Sequence, residues 1–456
     1  MSGAFVTIAS FLVTVGLLVV VHEWGHYAVA RLAGVKILRF SVGFGRPLWM
    51  RRLGPDRTEW VIAAFPLGGF VKMLDSREAE VPAAERHRAF DLQPVGKRIA
   101  IVLAGPAANF VAAFLLYWAL FVAGLPGMKP VVGEPPATTA AAAAGLAAGD
   151  SIRAVGGEPT ETWTDVRWLL LKEAVHRGAV ALEVESEGGA RGTRSLDLAV
   201  LTKDDLDRDF LAKLGLKPFT PRVAATLGRV IPGGAGERAG LREGDRIVAV
   251  DGAPVATWGQ FTARVRAAPG RRIALDVDRG GAPVAIAAVP EATGEGEARI
   301  GLLRVEPGPE VRREWERMTT TVRHGPLAAV PKAIHRVWDL AAFSLRMLGK
   351  MILGEVSWKN LSGPITIADY AGQSAQLGWV SFAGFLALVS VSLGVLNLLP
   401  IPLLDGGHLV YYSAEIVKGS PVSERTMEIG QRVGLAILAG LTFFAFYNDL
   451  NRLLTG

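Results

Sequence analysis

Between residues 5 and 21 the chain carries no charged side chain, and mainly apolar runs return at residues 98–125, 377–399 and 430–446. An α-helix rises about 1.5 Å per residue, so about 20 residues cross a hydrocarbon layer of about 30 Å. With residues 22–30 added to the first run, the pattern predicts four membrane-spanning helices. A second periodicity follows the first run. Leu38, Phe40, Val42 and Phe44 alternate with Arg39, Ser41 and Gly43, the period of a strand. Residues 58–64 and 65–73 read as further short strands, with turns expected at Gly54-Pro55 and Gly68-Gly69. Open sheet edges are not tolerated against lipid. This sheet must therefore sit within protein, at an interface, or beside a substrate that completes it. Residues 326–356 mix apolar positions with Lys332, His335, Arg336, Arg346 and Lys350, the pattern of an amphipathic helix lying on the membrane surface.

The segment between the second and third runs contains an internal repeat. Ala144-Gly145-Leu146-Ala147-Ala148-Gly149-Asp150-Ser151-Ile152 returns as Ala239-Gly240-Leu241-Arg242-Glu243-Gly244-Asp245-Arg246-Ile247. Both copies run on in constant register to Pro159 or Pro254 and then to Thr162-Trp163 or Thr257-Trp258. This pattern resembles a PDZ domain: a helix end, a glycine turn, then a strand whose isoleucine points into a small core. PDZ domains bind extended peptides by strand addition, so peptide C-termini are candidate ligands, although a spacer role fits the repeat as well.

Composition agrees with a membrane protein. Half of the 456 residues are hydrophobic, and the net charge of +6 is not gathered into a basic block with interleaved aromatics, so nucleic-acid binding has no support. The chain has no cysteine, which excludes disulfides, thiolate metal ligands and a thiol nucleophile. No basic region precedes the first apolar run, as a cleavable signal peptide would require. Arg31, Lys36, Arg39, Arg51, Arg52, Lys97 and Arg98 follow that run. The positive-inside rule then expects this first loop in the cytoplasm, and the repeat region outside, in the periplasm of a Gram-negative cell.

The chemistry sits at the end of the first run. His22-Glu23-Trp24-Gly25-His26 is H-E-x-x-H. Histidines at i and i+4 share one helix face and can reach one zinc ion, and Glu23 is placed as a general base toward water. A catalytic zinc needs a third protein ligand. The stretch Asn397-Leu398-Leu399-Pro400-Ile401-Pro402-Leu403-Leu404-Asp405-Gly406-Gly407-His408 holds two candidates, Asp405 and His408. Its prolines interrupt a helix, and an aspartate in so apolar a run needs a partner. Asn397 is a candidate substrate-binding amide, or a plain helix–helix hydrogen bond.

These features together resemble the site-2 protease family of intramembrane zinc metalloproteases, and within it a bacterial branch with two PDZ domains. The resemblance covers essentially the whole chain. It rests on the H-E-x-x-H pentad, on Asn397-x-x-Pro400-x-Pro402-x-x-Asp405-Gly406, on Leu361-Ser362-Gly363-Pro364-Ile365 and on the Gly43-Phe44-Gly45 loop. It implies zinc held by His22, His26 and Asp405, with Glu23 catalytic. For the substrate, the expected contacts are the Asn397 amide with Pro400 and Pro402 of the same stretch, and the strand at Phe40, Val42, Gly43 and Phe44, which offers an edge to an extended segment. The resemblance further implies an inner-membrane, multi-pass enzyme cutting single-span membrane proteins: a pre-trimmed anti-sigma factor in an envelope stress response, and remnant signal peptides.

The expected architecture is a polytopic α-helical membrane protein with a membrane-associated β-sheet and two extracytoplasmic PDZ domains of α+β type. Residues 1–127 would hold the first two spans and the sheet, 128–220 and 221–308 the PDZ pair, 309–376 the surface helix, and 377–456 the last two spans. Two rival readings remain at this level. A non-catalytic adaptor would not need Glu23, and a soluble zincin on a single anchor would need a third histidine or glutamate in a polar context.

Overall fold

The computed structural model describes residues 3–78, 80–174, 178–202, 205, 209–293, 299–356, 358 and 363–455. The chain divides into two compact units, residues 1–125 with 323–456, and residues 126–322.

The first unit is built on helices. Its elements are α1 (Gly3–Leu32), β1 (Ile37–Leu53), β2 (Thr58–Met73), α2 (Val95–Ala123), α3 (Pro326–Ile352), α4 (Pro364–Gln376), α5 (Trp379–Asn397), α6 (Asp405–Lys418) and α7 (Glu424–Thr455). Four of these, α1, α2, α5 and α7, are long and apolar enough to cross a membrane, in keeping with the four runs in the sequence. Helix α2 is central and packs against α1, α3, α5 and α6. The α1–α2 crossing is tight. A Cβ at Gly25 would stand 2.2 Å from the Ala104 carbonyl oxygen, so only glycine permits this approach. Pro106 lies inside α2 without ending it. A membrane tolerates such a proline because neighbouring groups satisfy the freed backbone.

The sheet differs in detail from its sequence pattern. β1 and β2 are long strands joined by the expected turn at residues 54–57, but Gly68-Gly69 lies inside β2. Gly68 has φ of +153°, a conformation that favours glycine, and stands between the paired residues Phe65 and Gly69. Phe40, Ser41 and Val42 pair with Val71, Phe70 and Gly69 on one side and with Trp60, Val61 and Ile62 on the other. Residues 39–42 are therefore interior to the sheet, while among the described residues no second strand pairs with 69–72. Glu59 receives Arg39 and Arg52, and these two guanidiniums hold its carboxyl below the usual carboxylate range.

Helix α4 begins at Gly363-Pro364-Ile365; Leu361 and Ser362 of that motif lie outside the described residues. Buried Asp449 on α7 receives the N–H groups of Gly363, Ile365 and Thr366 at 3.0, 2.8 and 3.2 Å and the Thr366 hydroxyl at 2.6 Å. A carboxylate thus satisfies the orphan donors of the α4 N-terminus and ties α7 to α4. The amphipathic segment is the helix α3, which leaves Leu327, Ile334 and Trp338 exposed.

The second unit contains the repeat twice as structure. Each copy forms a four-stranded antiparallel sheet with one strand order. In the first it is Glu158–Pro159, Ser151–Val155, Ala179–Glu185, Arg191–Asp197; in the second, Ala253–Pro254, Arg246–Val250, Ile273–Arg279, Ala282–Ala288. Ile152 and Ile247 are fully buried, each in its own core, beneath the helices Trp163–Ala174 and Trp258–Arg266. The Gly-Asp step of the repeat has a local cause. Asp150 accepts the Ala147 N–H at 2.9 Å and Asp245 accepts the Arg242 N–H at 2.8 Å, which closes the same turn in both copies.

Candidate metal centre

Helix α1 carries His22 and His26 one turn apart, on the face turned to α2. Their Nε2 atoms lie 3.2 Å from each other. The third group arrives from the opposite end of the sequence. Helix α5 ends at Asn397, residues 398–404 turn back, and α6 starts at Asp405. Leu403 adopts φ of +90°, an uncommon conformation for a side chain branched at Cγ, and directly precedes the two residues that open α6. Asp405 Oδ2 stands 3.2 Å from His22 Nε2, and Oδ1 stands 3.5 Å from His26 Nε2.

These three residues can hold a metal ion. Their donor atoms all lie within 4.8 Å of one another, and His408 is not among them. Among the described residues no donor is aligned on buried Asp405 Oδ2, although His22 Nε2 is close and its attraction holds the two together. The atoms are close but not aligned as donor and acceptor, which is how ligands directed at a common point are arranged. Burying an unpaired carboxylate oxygen is costly, and a cation removes that cost. The far sides of both rings are occupied. His26 Nδ1 donates to the Ile101 carbonyl at 2.8 Å, and His22 Nδ1 lies 3.1 Å from the Asn109 amide. The Nε2 atoms are the ones left to face an ion.

Backbone shape makes room for this set. A Cβ at Gly105 of α2 would stand 2.3 Å from His26 Nε2 and 2.8 Å from His22 Cε1. Glycine alone lets α2 pass this close to the imidazoles.

Glu23, His22, His26, Asp405, Asn397 and His408 line one cavity of about 530 Å³. Its other wall includes Gly69, Phe70 and Val71 of β2. The sequence-predicted substrate residues divide here. Asn397 borders the cavity, whereas Phe40, Val42, Gly43, Phe44, Pro400 and Pro402 do not. Phe40 is buried in a ring cluster with Tyr27 and Trp60, at 5.8 and 4.7 Å between centroids. Phe44 is half-exposed and stacks on Phe70 at 6.2 Å. Pro402 packs against Gly434 of α7, Pro400 belongs to the same connection into α6, and Val42 and Gly43 lie within β1. The physical reason is pairing: Phe40 and Val42 already have partners on both sides.

Three residues at this centre escaped the reading of motifs: Ile101, Gly105 and Asn109. An asparagine inside the otherwise apolar second run, three residues after the Gly105-Pro106 step, was the available signal.

Comparison with known proteins agrees with this site. The profile of Peptidase family M50 matches residues 10–441. The regulator of sigma-E protease RseP of Escherichia coli is 43% identical over 447 residues, covering 98% of each chain. A relative from Ralstonia nicotianae with zinc metalloprotease in its name is 43% identical over 463 residues, also 98% of each. The regulator of sigma E protease of Salmonella typhi is 40% identical over 449 residues, again with 98% coverage of both. Two histidines and a glutamate on a helix fit to cross a bilayer, with Asp405 converging on them from the start of α6, agree with these relatives, and the chain belongs to peptidase family M50, the site-2 proteases, as a zinc metalloprotease.

Proposed function

We propose that this enzyme cuts single-span membrane proteins within the bilayer, with zinc held by His22, His26 and Asp405 and with Glu23 as the catalytic base. One observation carries the assignment: two Nε2 atoms and the Asp405 carboxylate converge beside a cavity that Glu23 also lines. Bound zinc would act as Lewis acid toward the scissile carbonyl and the attacking water. Glu23 takes the proton from that water and returns it to the leaving amine.

A helical peptide bond is shielded by its own hydrogen bonds, so the substrate must unwind before attack. Two groups of this chain meet the unwound stretch. The Asn397 amide lines the cavity and can bond freed backbone, and the outer edge of β2 at residues 69–72, beside which no strand lies among the described residues, can add a strand. This edge takes the place assigned to β1 from the sequence pattern.

The two repeat copies are proposed as PDZ domains, within the five-part division of residues 1–127, 128–220, 221–308, 309–376 and 377–456. The basic first loop supports a cytoplasmic placement of the sheet and a periplasmic placement of the PDZ pair in an inner-membrane protein. Exposed Leu327, Ile334 and Trp338 suit α3 to the lipid surface. The similarity to regulators of sigma-E supports a place in sigma-E regulation; an anti-sigma factor already trimmed outside the membrane, and remnant signal peptides, are proposed as substrates from the motif resemblance alone.

The test measures zinc content and cleavage of a single-span substrate side by side. Wild type and Glu23→Gln should both hold zinc, and only wild type should cut. Cleavage by a zinc-loaded Glu23→Gln protein at the wild-type rate would sink the assignment.

A further inference from the structure

The proton of His22 has a required place if His22 binds metal through Nε2. A neutral imidazole carries one N–H and one lone pair. A lone pair at Nε2 puts the proton on Nδ1, and a buried N–H needs an acceptor. The side chain at that position is the amide of Asn109, 3.1 Å away. Asn109 is fully buried, and its carbonyl receives the Ser390 hydroxyl of α5 at 2.8 Å. The residue is thus braced between α1 and α5.

An amide presents an acceptor on one side and a donor on the other, in nearly one shape, so hydrogen-bond chemistry decides which faces His22. With the NH2 group toward Nδ1, His22 would carry its proton on Nε2, pointed at the metal ligands, and Asn109 Oδ1 would stay buried without a donor. Turned by 180°, Oδ1 accepts from Nδ1–H, and Nε2 has its lone pair free. One amide atom stays unpaired in either orientation, but only the turned amide is compatible with ligation.

We propose that Asn109 is a positioning residue for the metal, its Oδ1 accepting from His22 Nδ1–H and so fixing the tautomer and the plane of that ring. The proposal rests on the reading of His22 as a ligand. His26 has the corresponding partner in a backbone carbonyl, Ile101, which substitution cannot remove. Asn109 is therefore the side chain through which the sequence tunes the site. Outer partners of this kind are worth about 10–100-fold in metal affinity.

The experiment uses the full chain in detergent, with zinc affinity from chelator competition and the absorption spectrum of the Co2+-loaded protein. His22→Ala tests the underlying reading, and wild-type affinity in that variant would remove it. Asn109→Asp keeps an acceptor at the same place and should bind zinc at least as tightly as wild type. Asn109→Leu keeps the volume without the acceptor. It should bind about 10–100-fold more weakly, with shifted Co2+ bands and an unchanged melting curve. Wild-type affinity and spectrum in Asn109→Leu would overturn the proposal. So would a loss in Asn109→Asp as large as in Asn109→Leu, since a packing role predicts that result. If Asn109→Leu does not fold, the Asn109→Asp affinity decides alone: equal or tighter binding supports the proposal, and weaker binding overturns it.

Discussion

Each residue at the centre is constrained by a different physical demand, so substitutions should separate by readout. His22→Ala, His26→Ala and Asp405→Ala each remove a donor atom of the cluster and should lose zinc and cleavage together. Glu23→Gln removes the base and no ligand. It should keep zinc and lose about 10²–10⁴-fold in cleavage rate. His408→Ala should keep zinc, because His408 lines the cavity but stands outside the cluster. Zinc retained by Asp405→Ala and lost by His408→Ala would reassign the third ligand. Gly105→Val asks a steric question instead. A Cβ there would overlap His26 Nε2, so this variant should bind zinc poorly with every ligand intact. Metal analysis of the purified variants checks all six.

Among the elements, the β2 edge and α5 are the proposed substrate contacts, and capped turns hold the frame. Gly or Pro near the scissile bond lowers helix stability by about 1–3 kcal/mol, so such substrates should be cut faster than stable helices. Asn397→Ala should slow stable helices more than weakened ones; equal slowing in a competition assay would indicate a fold defect. In the second repeat copy, burial pushes the Asp245 carboxyl up. The Arg279 guanidinium at 2.7 and 2.8 Å and the Arg242 N–H outweigh burial and hold it below the usual range. A depressed folded pKa adds stability above the unfolded value, about 3.9, which is lost as pH falls through the folded value. Asp245→Asn should therefore exchange amide hydrogens faster than wild type at residues 246–250 near pH 7. The gap should narrow below about pH 3.9. A gap that widens in acid would contradict the ion-pair account. On α7, Asp449→Ala leaves buried donors at Gly363, Ile365 and Thr366 unmet, and about 1–3 kcal/mol per lost partner should appear as a lower melting temperature.

For the whole molecule, both ends of the repeat region run into the membrane unit, since residues 126–322 are inserted between residue 125 and residue 323. The proposed PDZ pair would then act as a size gate. Fusing a folded domain to the extracytoplasmic end of a trimmed substrate should stop cleavage, and deleting residues 131–305 should restore it. If the PDZ grooves instead capture the new C-terminus left by trimming, blocking that terminus should stop cleavage without any added bulk. A deletion protein that is folded and zinc-loaded but leaves the bulky substrate intact would end the gate idea.

Local rules were sufficient for much of this. Four apolar runs, a pentad with histidines one turn apart and a 95-residue register between two Gly-Asp turns depend only on helix pitch, bilayer thickness and turn chemistry, and all were legible along the chain. So was Asp405 as one of two candidates. The choice between Asp405 and His408 rested on resemblance until the turn at residues 398–404 set the start of α6 and brought Asp405, not His408 nearly one turn further on, within reach of both histidines. The edge at residues 69–72 is a matter of pairing, and alternation along β1 carries no information about which strand lies at the rim. The outer partners Ile101 and Asn109 come from α2, roughly 80 residues from their histidines, and only the α1–α2 crossing at Gly25 and Gly105 brings them there. Periodicity reports which face of an element is apolar; contact between faces distant in sequence is decided by packing alone.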